Sequence, residues 1–310
     1  MFDKLIFNIR LRSPAHVRRV AETEHLQWCT EGERGWWQSS ALENLTGLSV
    51  RITGDRMQVK CSLHKQFTRI LGGRLDNTGM FTLSEARACA CAMFGRWDTD
   101  VGNARVTHFE IGLNLPVSRE PMKYIALAGA VGAGKSREMF CDANFEKHRQ
   151  KTTLKGRTVK KYFKLYDKSH EAEQKHRTCA CRVLRAETVY RRQDVTMDVF
   201  LSPEYSGRLA ETFYRDWANI VFARRVVAAK GMKASQMERA ERIMKVGAER
   251  YAREAYDDWK DGRLTDKQYR TMREFARDWE KTSSLFTLEA DPLEVEYRSA
   301  LQAEFGKAVR

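Results

Sequence analysis

A tyrosine lies between two lysines in Lys160–Glu171, KKYFKLYDKSHE. Written as a strand, the segment puts Lys164, Tyr166 and Lys168 on one face, because strand side chains alternate. Phe163 and Leu165 fall on the other face, and Asp167 closes the strand. A phenol ordinarily titrates near about 10. Flanking ammonium groups favour the phenolate and also hold a phosphodiester, which is what a nucleophilic tyrosine needs. A basic strand with one tyrosine also reads, more plainly, as a solvated face.

Two further segments alternate in the same way. Thr107–Leu115 sets Phe109, Ile111, Leu113 and Leu115 on one face, and His108, Glu110, Gly112 and Asn114 on the other. Val183–Tyr190 sets Leu184, Ala186, Thr188 and Tyr190 against Arg185 and Glu187. If the three strands share a sheet, Tyr166, Lys168, Glu110, Glu187 and His108 converge on its open side. Two carboxylates with one imidazole suit Mg²⁺ or Mn²⁺, which prefer oxygen ligands. A metal beside a lysine-flanked tyrosine points to phosphoryl transfer at a phosphodiester.

The elements that position these residues are read from the rest of the chain. Phe2–Arg10 alternates as a strand, with Leu5, Phe7 and Ile9 inward. A short helix follows over His16–His25. Leu48–Thr53 and Met57–Leu63 form a hairpin through Gly54-Asp55. Thr82 and Glu85 fit a capping box opening a helix from Leu83 to Trp97. Pro116 ends the Glu110 strand, and Ser118 is the expected cap of a helix through Met122, Ile125 and Ala126. Adjacent Trp36 and Trp37 point to different sides of any element, one toward a core and the other available to stack on a base. These elements predict an α+β domain on an antiparallel sheet. After Gln193 helical period dominates: Leu209, Phe213 and Trp217, then Ala252, Tyr256 and Trp259, then Tyr269, Met272, Phe275 and Trp279. The expected division is 1–200, catalytic, and 201–310, helical.

The 310 residues are 42% apolar and 31% charged, with a net charge of +14, a balance that favours a polyanionic partner. Between Lys151 and Arg192 the acidic residues are only Asp167, Glu171, Glu173 and Glu187, so the excess charge surrounds the tyrosine strand. No apolar run is long enough to span a membrane, and the start lacks a signal-peptide pattern, so no membrane partner and a cytoplasmic location are expected. The seven cysteines are odd in number, which favours reduced thiols. The pairs Cys89/Cys91 and Cys179/Cys181 have C-x-C spacing; a zinc site from both is the alternative to buried thiols.

Gly129–Ser136, GAVGAGKS, matches the P-loop pattern in each fixed position. A P-loop must lead into a helix whose N-terminus meets the phosphates. Ser136–Phe145 carries no long amphipathic helix, so a glycine-rich exit from a helix is the preferred reading.

The chain resembles the II/X family of phage replication proteins, rolling-circle initiators of filamentous phages and related prophages. It is more distantly similar to rolling-circle plasmid initiators. The resemblance rests on FDKLIF, VKCSLHKQF, LSEARACACAMF, VTHFEIGLN, YFKLYDKSHE, LRAETVY and DDWKDGRLTDKQYRTMREF, in that order. It implies an HUH-like nicking domain of antiparallel sheet, followed by a helical C-terminal region. The implied nucleophile is Tyr166 in a Y-x-K strand, with Lys168 stabilising charge on the phenolate or the phosphate. The resemblance maps the family's acidic strand residue to Glu110 and its R-x-E strand to Arg185 and Glu187; with His108 from the strand pattern, Glu110 and Glu187 are the expected holders of Mg²⁺ or Mn²⁺. This sequence lacks the H-x-H pair of the broader superfamily. Lys164, Arg185, Lys160 and Lys161 are assigned to the DNA backbone. The implied partners are double-stranded origin DNA, single-stranded DNA, and the host replication helicase and polymerase. Tyr162, then Tyr190, are the next nucleophile candidates. The competing readings are a basic DNA-binding protein without catalysis and a P-loop nucleotide-binding protein.

Overall fold

Alternation of apolar and polar residues produces strands where the sequence shows it. β1 (Phe2–Arg10) buries Leu5, Phe7 and Ile9 and exposes Lys4 and Arg10. Next come α1 (Pro14–Thr23), β2 (Gln27–Glu31), β3 (Arg34–Gln38), β4 (Leu48–Thr53), β5 (Arg56–Ser62), α2 (Leu63–Gly72), α3 (Leu83–Arg96) and β6 (Ala104–Pro116). The middle of the chain forms α4 (Pro121–Leu127), β7 (Ala128–Val131), β8 (Arg137–Glu138), β9 (Phe140–Asp142), β10 (Glu146–Lys151), β11 (Lys161–Asp167), α5 (Lys168–Gln174) and β12 (Val183–Thr196). The remainder comprises α6 (Met197–Leu201), α7 (Pro203–Ala218), β13 (Val221–Phe222), α8 (Ala234–Val246), α9 (Ala248–Lys260), α10 (Asp266–Arg277), α11 (Trp279–Thr282) and α12 (Pro292–Ala308). This computed structural model describes all residues except 41–46, 74, 135, 143–145, 153–158, 177–178, 180, 223–225, 227–230, 283–290 and 310.

Ten strands form one sheet in the order β2-β3-β4-β5-β1-β6-β12-β11-β10-β9. Each neighbouring pair is antiparallel. The expected mixed architecture on an antiparallel sheet is therefore present. β12 runs further than expected, to Thr196. Its register against β6 shifts between Arg191 and Val195, where Arg192 takes a positive φ of 54°, as a bulge requires.

One face of the sheet carries the core. Phe7 stacks on Phe94 of α3 at 5.5 Å, Phe109 lies 5.0 Å from Phe200 of α6, and Phe163 meets Trp217 of α7 edge-on at 5.7 Å. α3 begins as expected, with Thr82 and Glu85 exchanging both capping-box hydrogen bonds. Phe213 and Trp217 of α7 and Tyr297 and Leu301 of α12 belong to this same core. The Trp217 indole donates to Thr188 Oγ1 of β12 at 3.0 Å. A core of this kind crosses the expected division at 200/201. Residues of α8, α9 and α10, including Ile243, Tyr251 and Ala276, pack in a separate small cluster.

Two local expectations change. Ser118 does not cap a helix; α4 begins after Glu120, with Pro121 in its first turn. Ser118 instead donates its hydroxyl to Glu296 at 2.8 Å, tying α12 to the end of β6. The P-loop look-alike lies between two paired strands. β7 pairs antiparallel with β8, and among the described residues that follow β7 up to Phe140 there is no helix to meet a phosphate. Its Lys135 lies outside the described residues. Gly132 and Gly134 adopt positive φ between the two strands. A Cβ on Gly129 would come within 2.1 Å of the Lys245 carbonyl oxygen, so this glycine is required by packing against the end of α8.

All seven cysteines are free, Cys89 being buried and Cys91 exposed on opposite sides of α3. Among the described residues no helix is long and apolar enough to cross a membrane.

Candidate functional site

The sheet's other face carries the chemistry. Registration sets Tyr166 opposite Arg185 and Lys164 opposite Glu187 on β11 and β12. On β6, Gly112 lies opposite Glu187 and Glu110 opposite Val189. Directly paired residues share a face, so Lys164, Tyr166, Arg185, Glu187 and Glu110 all point the same way. The three strands do share a sheet, and their polar sides meet there.

Lys164, Tyr166, Glu187 and Glu110 line a cleft of ≈ 590 Å³, together with Asp3, Lys4, Lys60, His148, Lys168, His170 and Glu171. At its floor the Tyr166 hydroxyl donates to Glu187 Oε2 at 3.2 Å. Lys164 Nζ pairs with Glu187 Oε1 and sits 3.5 Å from Glu110 Oε2, bridging the two carboxylates. His108 Nε2 lies 3.4 Å from Glu110 Oε1. Arg185 is fully enclosed. It donates to Glu187 at 3.1 Å, to Asn114 at 2.8 Å and to Asp3 at 2.8 Å. Its guanidinium lies across Gly112, where a Cβ would come within 2.8 Å of it. Asp3 also accepts from Ser62 and from Asn77, the latter at 3.0 Å.

Charge in this enclosed array is set by competition between desolvation and pairing. Burial, then the Glu187 carboxylate, push the Tyr166 phenol well above its usual value. This reverses the expectation of a lysine-activated phenolate: the lysines spend their charge on Glu187, Glu110 and Glu171. Burial and the neighbouring Glu110 raise Glu187, against the pull of Lys164 and Arg185. Burial would raise Glu110 too, but Lys164 and then His108 outweigh it and hold Glu110 far below the usual carboxylate range. Two coupled carboxylates sharing one ammonium thus split, one firmly ionised and one more easily protonated. For Asp3, Arg185 and Lys168 overcome the burial penalty and hold the carboxyl low.

Lys168 is not on the strand. Asp167 ends β11 and caps α5, accepting from the His170 amide at 2.9 Å, which makes Lys168 the first helical residue. It still reaches the cleft, where it donates to Glu171 at 2.6 Å. Burial and Arg185 lower its pKa. Lys161 shares the parity of Phe163, not of Lys164. It sits on the core face over Phe163 and pairs with Asp216 of α7 at 2.6 Å, so it does not face the cleft. Lys160 is exposed, just before β11. Arg185 is buried behind Glu187 and acts on the site's carboxylates. Tyr162 accepts from Arg191 at 3.0 Å, on the cleft's face of the sheet. Tyr190 stacks on Phe109 at 4.6 Å in the core.

Several cleft residues were absent from the sequence reading. Asp3 turns toward the cleft because the β1–β6 register shifts between Phe2 and Leu5. His148 of β10 stacks on His170 of α5 at 3.6 Å, with His148 Nδ1 3.5 Å from Asp167. The spacing of Asp167 and Glu171 within a short helix is a local signal; the approach of β10 has none.

The carboxylates of Glu110 and Glu187 are the hard oxygen donors that Mg²⁺ or Mn²⁺ prefers, with His108 beside them. Its arrangement does not fit a resident ion, because the Lys164 ammonium already lies between the two carboxylates. Among the described residues no three His, Cys, Asp or Glu side chains are grouped to hold a metal.

No protein-family model matches the chain, and no curated protein matches it in sequence. Among solved structures it is similar to a rolling circle replication initiator protein from Geobacillus stearothermophilus. That likeness has a TM-score of 0.37 and 10% identity, and covers 79% of this chain and 96% of the other.

Proposed function

We propose that this chain is a rolling-circle replication initiator that nicks and rejoins one strand of its own replicon's DNA through Tyr166. The observation that carries the reading is the Tyr166 hydroxyl on a cation-lined cleft floor, 3.2 Å from a carboxylate whose proton affinity is raised. A phenol held protonated needs a base in the transition state. Glu187 is within reach and is the stronger base of the two carboxylates. Tyr166 Oη forms its bond to phosphorus as its proton passes to Glu187. The bond from phosphorus to the 3′-oxygen breaks, and that oxygen takes a proton from Lys168, whose lowered pKa makes it a better acid than Lys164. Lys164 supplies positive charge beside the carboxylates at the place where the donor set suggested a divalent ion. Arg185 holds Glu187 in place, and Glu171 holds Lys168.

The 5′ end remains on the tyrosine and the free 3′-hydroxyl primes the host polymerase, with a host helicase opening the duplex. Religation reverses the same steps, so no nucleotide cofactor is consumed.

The test uses supercoiled DNA of the parent replicon, with Mg²⁺, Mn²⁺ or EDTA, analysed on a denaturing gel before and after protease. An open circle with protein on its 5′ end, lost in Tyr166→Phe, is the expected result. Binding without a nick under all three conditions would leave a DNA-binding protein and refute the catalytic assignment.

A further inference from the structure

The open face of the sheet continues beyond the cleft, across β1, β5, β4 and β3. The register carries it outward: Ile6 lies opposite Lys60, Lys60 opposite Ser49, Gln58 opposite Arg51, and Arg51 opposite Gln38. Trp36, two residues from Gln38, shares this face, while Trp37 lies opposite the core residue Ile52 and points the other way. Apart from Asp3, which is buried at the cleft and bonded to Arg185, none of the outward side chains of β1, β4 and β5 is acidic. Lys4, Lys60 and Arg51 are exposed, and among the described residues they have no ion-pair partner. At the far end the Arg51 guanidinium lies 4.6 Å over the Trp36 ring, whose indole donates to Gln38 at 2.8 Å.

We propose that this face is a track for single-stranded DNA, leading from the Tyr166 cleft to a base-stacking platform made by Trp36 and Arg51. Unpaired cations spaced across strands that expose no carboxylate on this face fit a phosphate backbone. A tryptophan under a guanidinium fits an unstacked base. A duplex keeps its base faces stacked inside the helix, so the platform selects a single strand. Six strand spacings separate β11 from β3, about 29 Å at the usual spacing of neighbouring strands. That length takes several nucleotides. The inference deepens the nicking reading and rests on it for which strand is held: the one continuous with the scissile phosphate.

The test measures binding of unstructured oligothymidylates by fluorescence anisotropy. Trp36→Ala should weaken binding of oligomers long enough to span the face by about 5- to 150-fold, the range of one lost base stack. Trp36→Phe should recover most of it. Lys60→Gln should weaken binding and reduce the salt dependence by about 0.7 in log–log slope, one single-strand phosphate contact. Trp28→Ala, on the opposite face, should bind as the wild type does. Photocrosslinking of the unaltered protein to iodouracil-substituted oligonucleotide should label Trp36, which needs no variant to fold. Unchanged affinity in Trp36→Ala, or crosslinks confined to Trp28, would overturn the track. Tyr166→Phe separates the two readings: loss of nicking there with unchanged Trp36→Ala affinity defeats the track and keeps the nickase. Nicking that survives in Tyr166→Phe, with lost affinity in Trp36→Ala, does the reverse.

Discussion

Replacing Arg185 with methionine tests whether the buried charge network holds the site together. The side chain bonds two carboxylates, Glu187 at 3.1 Å and Asp3 at 2.8 Å, and the Asn114 amide oxygen at 2.8 Å. Charge-assisted bonds contribute about 1.5–3 kcal/mol each and a neutral one about 1 kcal/mol. Their sum exceeds the measurable loss, because Asp3 keeps Ser62 and Asn77 and Glu187 keeps Lys164 and Tyr166. Breaking a buried pair by removing one partner costs about 3–5 kcal/mol, and that is the expected destabilisation. At about 2 °C per kcal/mol for a chain of this size, the melting temperature should fall by about 6–10 °C. The pH dependence carries a sign. Asp3 has a lowered pKa in the folded chain, so its contribution is present above its ordinary value of 3.8 and is lost as pH falls through the folded value. The gap between wild type and Arg185→Met should therefore narrow below about pH 4. Thermal and urea unfolding across pH, with Asp3→Asn and the double variant, completes a cycle in which Asp3→Asn costs less once Arg185 is gone. A loss below about 1 kcal/mol, the level of an exposed pair, or strict additivity with Asp3→Asn, would refute this reasoning.

Other consequences are equally direct. Glu187→Gln should slow single-turnover nicking by about 10²–10⁴-fold. The wild-type rate should rise with pH through the raised Glu187 pKa, and that limb should vanish in the variant; an unchanged pH profile would remove Glu187 as the base. Lys164→Gln should leave Glu110 and Glu187 facing one another with no cation between them. Mn²⁺ should then raise the variant's melting temperature and leave the wild type's unchanged, since only a ligand that binds the folded chain stabilises it. Gly129→Ala places a methyl against the Lys245 carbonyl and should destabilise the chain by about 1–3 kcal/mol, whether or not nucleotide is present. Protection of wild type by ATP would instead favour the P-loop reading.

Much of the site was legible because strand parity is a strict rule. The alternation in 107–115 and 183–190 was enough to bring Glu110 and Glu187 to the side of Tyr166. The same rule, applied to Lys161, would have placed it with Phe163 on the core face. Lys168 was misplaced because Asp167 is a helix cap, which breaks the strand parity one residue before the lysine. The direction of the Tyr166 shift was not legible: flanking lysines can be counted, but whether carboxylates already hold them depends on pairing across strands. Asp3 entered through a register shift, and His148 through β10, neither of which leaves a local mark. The helical region was visible in its period. That α7 and α12 join the sheet's core through Trp217 and Tyr297 depends on contacts about 80 residues apart.

The most direct test of the account is the identity of the residue that carries the DNA. After reaction with origin DNA, nuclease trimming and trypsin digestion, mass spectrometry should find the nucleotide on Leu165–Lys168, the tryptic peptide of Tyr166. A nucleotide on Tyr162–Lys164 or on Ala186–Arg191 would move the nucleophile to Tyr162 or Tyr190 and contradict the account.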